Sequence, residues 1–133
     1  MIIKKPKIVE MYKGELYDFL VDLIAKEAKA KVNTEDHTRR RDLCRAFLAE
    51  NPKVGVGDSL KADLERVLKD WQAKPEQINA LEKLGFSCNK ENRKKHYRIR
   101  WKNLKEYVAT LPSSPSDRKE WLNSLSNLKK KFF

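Results

Sequence analysis

The stretch Asn92-Arg-Lys-Lys-His-Tyr-Arg-Ile-Arg-Trp-Lys102 constrains this chain more than any other. From His96 it alternates: Tyr97, Ile99 and Trp101 fall on one parity, and His96, Arg98, Arg100 and Lys102 on the other. Side chains on a strand point alternately to its two faces, so this pattern predicts a β-strand with one buried and one wet face. The wet face is a row of cations headed by an imidazole. Lys90, Arg93, Lys94, Lys95, Arg98, Arg100, Lys102 and Lys105 lie within one short window, opposed there only by Glu91. A face of that kind predicts an anionic partner, with phosphate as the natural ligand.

The charge of the whole chain agrees. The net charge is +11 over 133 residues, and it is uneven. Residues 1–75 hold 16 Lys and Arg against 13 Asp and Glu, whereas residues 76–133 hold 14 against 6. The C-terminal part is therefore expected to meet the anion first. Hydrophobic residues make up 40% of the chain, enough for a modest core. No apolar run approaches the roughly 20 residues of a membrane span, and Met1-Ile-Ile-Lys-Lys-Pro6 lacks the apolar stretch of a secretory signal. A cytoplasmic protein without a membrane partner is expected. Cys44 and Cys88 each sit in an apolar-periodic segment and read as buried free thiols in a reducing compartment.

Read in order, the chain is predicted to be α+β in two parts. Residues 1–75 form a helical bundle. After a short arm ending at Pro6, a helical pattern runs from Lys7 to Lys31, with Gly14 able to split it. Its stripe is Leu16, Leu20, Leu23 and Ala28, widened by Phe19, Val21 and Ile24. Thr34 is placed as the N-cap of a second helix that ends at Asn51-Pro52 and buries Leu43, Phe47 and Cys44. Arg39, Arg40, Arg41 and Arg45 lie on it, either as a solvated face or as a second basic patch for nucleic acid. A third helix carries Leu60, Leu64, Val67, Leu68 and Trp71 inward and stops at Lys74-Pro75, the expected domain boundary.

Residues 76–133 change character. A short helix opens at Pro75 or Glu76, turns Ile78, Leu81 and Leu84 inward, and closes on Gly85 as its C′ residue. Three strands follow. Phe86 to Lys90 has Phe86 and Cys88 inward, the second runs from His96 to Trp101, and Glu106 to Leu111 has Tyr107, Ala109 and Leu111 inward. Lys102 to Lys105 is read as the turn before the last of them. Ser114 as N-cap and Pro115 at the first position start a final helix with Trp121, Leu125, Leu128 and Phe132 at helical spacing. Its Lys129, Lys130 and Lys131 suit the helix C-terminus or phosphate. Two helices can cover one face of such a meander and leave the other open.

This order resembles the HicA-like toxins, small mRNA interferases with a fold like that of double-stranded-RNA-binding domains. The matching residues are Leu81-Glu-Lys-Leu-Gly-Phe86, then Lys95-His-Tyr-Arg-Ile99, then Ala109-Thr-Leu-Pro112 with the helix from Ser114. The resemblance covers residues 76–133 and none of the first part. It implies RNA, rather than DNA, as the partner and His96 as the residue of a metal-independent endoribonuclease. An imidazole can take the proton of a ribose 2′-hydroxyl as it attacks phosphorus, and Arg98 and Arg100 would neutralise the charge that develops. For the second proton transfer no other histidine is near in sequence: His37 would have to be brought in from the helical part, and Lys94, Lys95 and Tyr97 are weaker candidates.

Other chemistry finds no support in the residues. Cys44, Cys88, His37 and His96 lack the close spacing of metal ligands, Gly55-Val-Gly57 alone is not a phosphate loop, and no nucleophile elbow occurs, so no cofactor is expected. A different class of function also fits the two-part layout. A helical bundle joined to a toxin-like module suits a non-catalytic interaction or inhibitor subunit of a bacterial or phage defence or toxin–antitoxin system, its partner an antitoxin or another subunit of the complex.

Overall fold

The computed structural model describes residues 3–30, 38–90, 96–113 and 119–133. The architecture is mixed α+β. Among the described residues there are five helices, α1 (Glu15–Lys29), α2 (Arg39–Glu50), α3 (Val56–Leu68), α4 (Pro75–Leu84) and α5 (Glu120–Phe132). Between α4 and α5 run β1 (Phe86–Lys90), β2 (His96–Trp101) and β3 (Leu104–Pro112). The strands form one antiparallel sheet in the order β1-β2-β3, so the C-terminal part is helix-strand-strand-strand-helix as expected. The predicted caps at Ser114 and Pro115 lie outside the described residues.

Two compact units divide the chain, residues 12–57 and residues 1–11 with 58–133. The second therefore includes most of α3, which sequence reading placed in the N-terminal part ending at Pro75. A hydrogen bond shows why. The indole of Trp71, 1% exposed, donates from Nε1 to the carbonyl of Pro112 at the end of β3, at 2.9 Å. Trp71 itself is not on the helix. α3 stops at Leu68, Asp70 and Ala73 adopt positive φ, and the loop lowers the indole into the core.

The core of this unit joins the helices to one face of the sheet. Leu64, Leu68, Leu81, Phe86, Ile99, Leu111 and Leu128 are fully buried. Phe86 meets Trp101 edge-on at 5.1 Å between ring centroids and Phe132 at 5.2 Å. Gly85 has φ of +117°, which closes α4 and turns the chain into β1. The Trp101 ring lies against it so closely that a Cβ there would stand 2.5 Å from Cη2. Both the turn and the ring thus demand glycine.

The parity expected of β2 holds. Ile99 and Trp101 are buried, whereas His96 is exposed and Arg98 and Arg100 are half-buried. Two details of β3 differ. The strand begins at Leu104, which is buried, after a turn of only Lys102 and Asn103. The register then slips: Arg100 faces Val108 but Trp101 faces Leu104. Lys105, Glu106 and Tyr107 bulge out between those pairs. Tyr107, predicted inward with Ala109 and Leu111, is 42% exposed for that reason.

Residues 12–57 form a helical hairpin with its own corrections. Among the described residues no helix precedes Gly14: residues 3–10 have no regular structure, and Gly14 at φ +90° starts α1. α1 does not bury the Leu16–Leu20–Leu23 stripe. It buries Val21 and, at 2% exposure, Asp18. The carboxylate of Asp18 accepts the amides of Val54 and Gly55, both at 2.8 Å, and holding those two donors sets which way the helix faces. α2 starts at Thr38, whose side chain accepts Arg41 N–H; Thr34 lies outside the described residues. Leu43 and Phe47, expected inside, are exposed, and Cys44 is half-buried.

Replacing Gly85 by Ala forces a strained φ and a clash with Trp101. The expected cost is about 2–4 kcal/mol, read as a lower urea midpoint with an unchanged slope. Trp71→Phe keeps an aromatic ring but removes the donor to the Pro112 carbonyl and leaves a small void, and the same measurement should show a loss of about 1–3 kcal/mol.

Candidate nucleic-acid interface

Among the described residues, α4 contacts β1 and α5 contacts β3. The outward residues of the sheet can be read from its register. Arg100 stands between Ser87 and Val108, Arg98 between Asn89 and Thr110, and His96 opposite Pro112. Arg98 and Arg100 are thus about 7 Å apart along one strand, on one face. Neutral hydrogen-bonding side chains flank them. Asn89 and Thr110 are exposed, and the Ser87 hydroxyl donates to the Arg100 carbonyl at 3.4 Å.

Guanidinium groups carry fixed charge and a planar fork of donors that matches phosphate oxygens. Serine, asparagine and threonine add contacts to phosphate and sugar that position a strand without reading its bases. Ser87, Asn89 and Thr110 were not singled out from the sequence. The signal that finds them is the same period of two, applied to β1 and β3 as well as to β2.

The other expected contacts divide. Lys102 and Lys105 are exposed, in the β2–β3 turn and in the bulge. Lys90 pairs with Tyr97, on the parity of Cys88 and Leu111, and its ammonium sits 5.9 Å over the Tyr97 ring. It therefore belongs to the opposite face from Arg98. Arg93, Lys94 and Lys95 lie outside the described residues. Tyr107 was missed as an exposed aromatic, and no residue type in the sequence marks the bulge that turns it out.

His96 opens β2 at the rim of this face. Among the described residues no hydrogen bond or ion pair engages it, and His37 lies outside them. His96 shares its face with two arginines, and among the described residues no second histidine stands beside it; Lys94 and Lys95 lie outside them. Among the described residues no cluster of three or more His, Cys, Asp or Glu could hold a metal ion, and no helix is long and apolar enough to cross a membrane.

The second basic patch is largely engaged in structure. Arg40 forms an ion pair with Glu27, and Arg41 Nη2 donates to the Ala30 carbonyl at the end of α1, at 3.0 Å. Arg39 and Arg45 remain exposed on α2. On α5, Lys129 lies 3.6 Å from Glu65, while Lys130 and Lys131 are exposed.

No protein-family model, no curated protein and no solved structure matches this chain.

Cys44 and Cys88 are free and half-buried rather than fully buried. Burial, with Glu82 nearby as the smaller cause, pushes the Cys88 thiol from 9.0 up to about 12. It should therefore react with iodoacetamide at pH 8 at least about 100-fold more slowly than free cysteine, as peptide mass spectrometry would show. Because the folded value is the higher one, the unfolded chain gives up this proton first. Stability should fall as pH rises from 9.0 towards 12, and that part of the fall should be absent in Cys88→Ala.

Proposed function

We propose that this chain is a nucleic-acid-binding protein that takes the phosphate backbone of RNA on the outer face of its sheet. The observation that carries the reading is the pair Arg98 and Arg100, on one face with Ser87, Asn89 and Thr110 while Ile99 and Trp101 on the opposite parity are buried. Binding of this kind is electrostatic and weakens steeply with salt. Lys102 and Lys105 extend the charge beyond the end of β2, and Tyr107 in the bulge gives an unpaired base a ring to stack on.

RNA is preferred to DNA on the resemblance of residues 76–133 to the HicA-like interferases. In that reading His96 is the base that activates a 2′-hydroxyl, which only RNA provides. The exposed position of His96 beside Arg98 is compatible with a substrate strand reaching it. Binding is the primary activity in this reading and His96-dependent cleavage the secondary one.

Arg98→Ala with Arg100→Ala should lower RNA affinity at least about 10-fold and reduce the slope of log K against log salt by about 2. Fluorescence anisotropy over a salt series measures both. Unchanged affinity and slope would remove the sheet as the binding face. His96→Ala should keep most of the affinity while ending cleavage of a labelled RNA, and wild-type protein that leaves structured and unstructured RNA intact would refute the nuclease reading.

A further inference from the structure

Tyr107 breaks the pattern of its own strand. Ala109 and Leu111, on the same parity, are buried, yet the Tyr107 side chain is 42% exposed. The register shows how this happens. Arg100 faces Val108, so an uninterrupted ladder would set Trp101 against Tyr107. Instead Trp101 faces Leu104, and Lys105, Glu106 and Tyr107 leave the ladder together. Leu104 takes the buried place, and all three displaced residues are exposed.

A bulge gives up ladder pairing and re-aims a side chain. A ring turned out to water also forgoes the burial that its parity offered. Among the described residues of the sheet unit, Tyr107 is the one aromatic side chain that is exposed. No hydrogen bond, ion pair or ring contact engages it among those residues.

The neighbours of the ring say what it suits. Val108 follows Tyr107 in the chain and faces Arg100 across the ladder, so the Tyr107 backbone lies within about 9 Å of that of Arg100. Lys102 in the turn and Lys105 in the bulge are exposed, with Glu106 as the opposing charge in the bulge. One nucleotide can bridge such a pair, its phosphate on a cation and the face of its base on the ring. An apolar protein partner would want an apolar patch, and Lys105 and Glu106 beside the ring are charged. In a duplex each base is already stacked between its neighbours, so the ring can take only an unpaired base.

We propose that Tyr107 is a base-stacking residue that makes the sheet unit select single-stranded over double-stranded RNA. Arg100, Lys102 and Lys105 hold the phosphates beside the stacked base. This selection rests on the reading of the sheet as a phosphate-binding surface.

Fluorescence anisotropy of the full chain at fixed low salt tests it with three labelled probes of about 12 nucleotides: an unstructured single-stranded RNA, the same sequence as a duplex, and an abasic strand with the same phosphates. The single strand should bind at least about 5-fold more tightly than either of the others. Tyr107→Ala should lower it to their level with an unchanged salt slope and far-UV spectrum, and Tyr107→Phe should keep the wild-type affinity. A wild-type protein that binds the single strand no more tightly than the abasic strand would overturn the stacking role and leave the phosphate reading standing. An equal loss for all three probes in Tyr107→Ala would overturn it too, since the ring would then serve only the fold. Unchanged single-strand affinity in Tyr107→Ala would do the same and turn the ring towards a protein partner. If no probe binds in a salt-dependent way, the phosphate reading falls and the stacking role with it.

Discussion

Trp101 lies over Gly85 and edge-on to Phe86, and the rest of the sheet depends on that contact. It joins the last residue of β2 to the turn that closes α4, where the Lys102 amide also donates to the Gly85 carbonyl at 3.1 Å. With Trp101 fixed inward, Ile99 follows it into the core and Arg98 and Arg100 are turned the other way. A slip of one residue would bury both guanidinium groups and expose the tryptophan, at a cost of many kcal/mol. The same contact that builds the core therefore aims the charge.

That part of the molecule was legible because its residues obey one period. Alternation from His96 to Trp101, a helix stop at Gly85 and apolar spacing through Leu125, Leu128 and Phe132 all pointed to one arrangement, and local and tertiary preferences agree there. Legibility ended where a single tertiary interaction outweighed local pattern. Trp71 matches the helical spacing of Leu64 and Leu68, but its indole has a partner at Pro112 and the helix gives way. Tyr107 matches the parity of Ala109 and Leu111, but a bulge decides its direction. In α1 the Leu16–Leu23 stripe looked like the buried face, and the carboxylate of Asp18, which must be hydrogen-bonded once buried, took its place.

The two units use their charge in different ways. In the hairpin, basic and acidic residues are close to balanced, and Arg40 and Arg41 serve the packing of α2 on α1. In the sheet, Arg98 and Arg100 share the face opposite to buried Ile99 and Trp101, beside Ser87, Asn89 and Thr110. Counting cations along the sequence makes the two arginine groups look alike.

On the proposed reading, an anionic strand lies on the outer face of the sheet. The most direct measurement is a titration of the labelled protein with a short RNA, followed by the backbone amide resonances. Shifts should gather on Ser87, Asn89, His96, Arg98, Arg100 and Thr110, and should collapse together when salt is added. Shifts confined to Arg39–Arg45 of α2 or Lys129–Lys131 of α5, with the sheet residues unmoved, would contradict it.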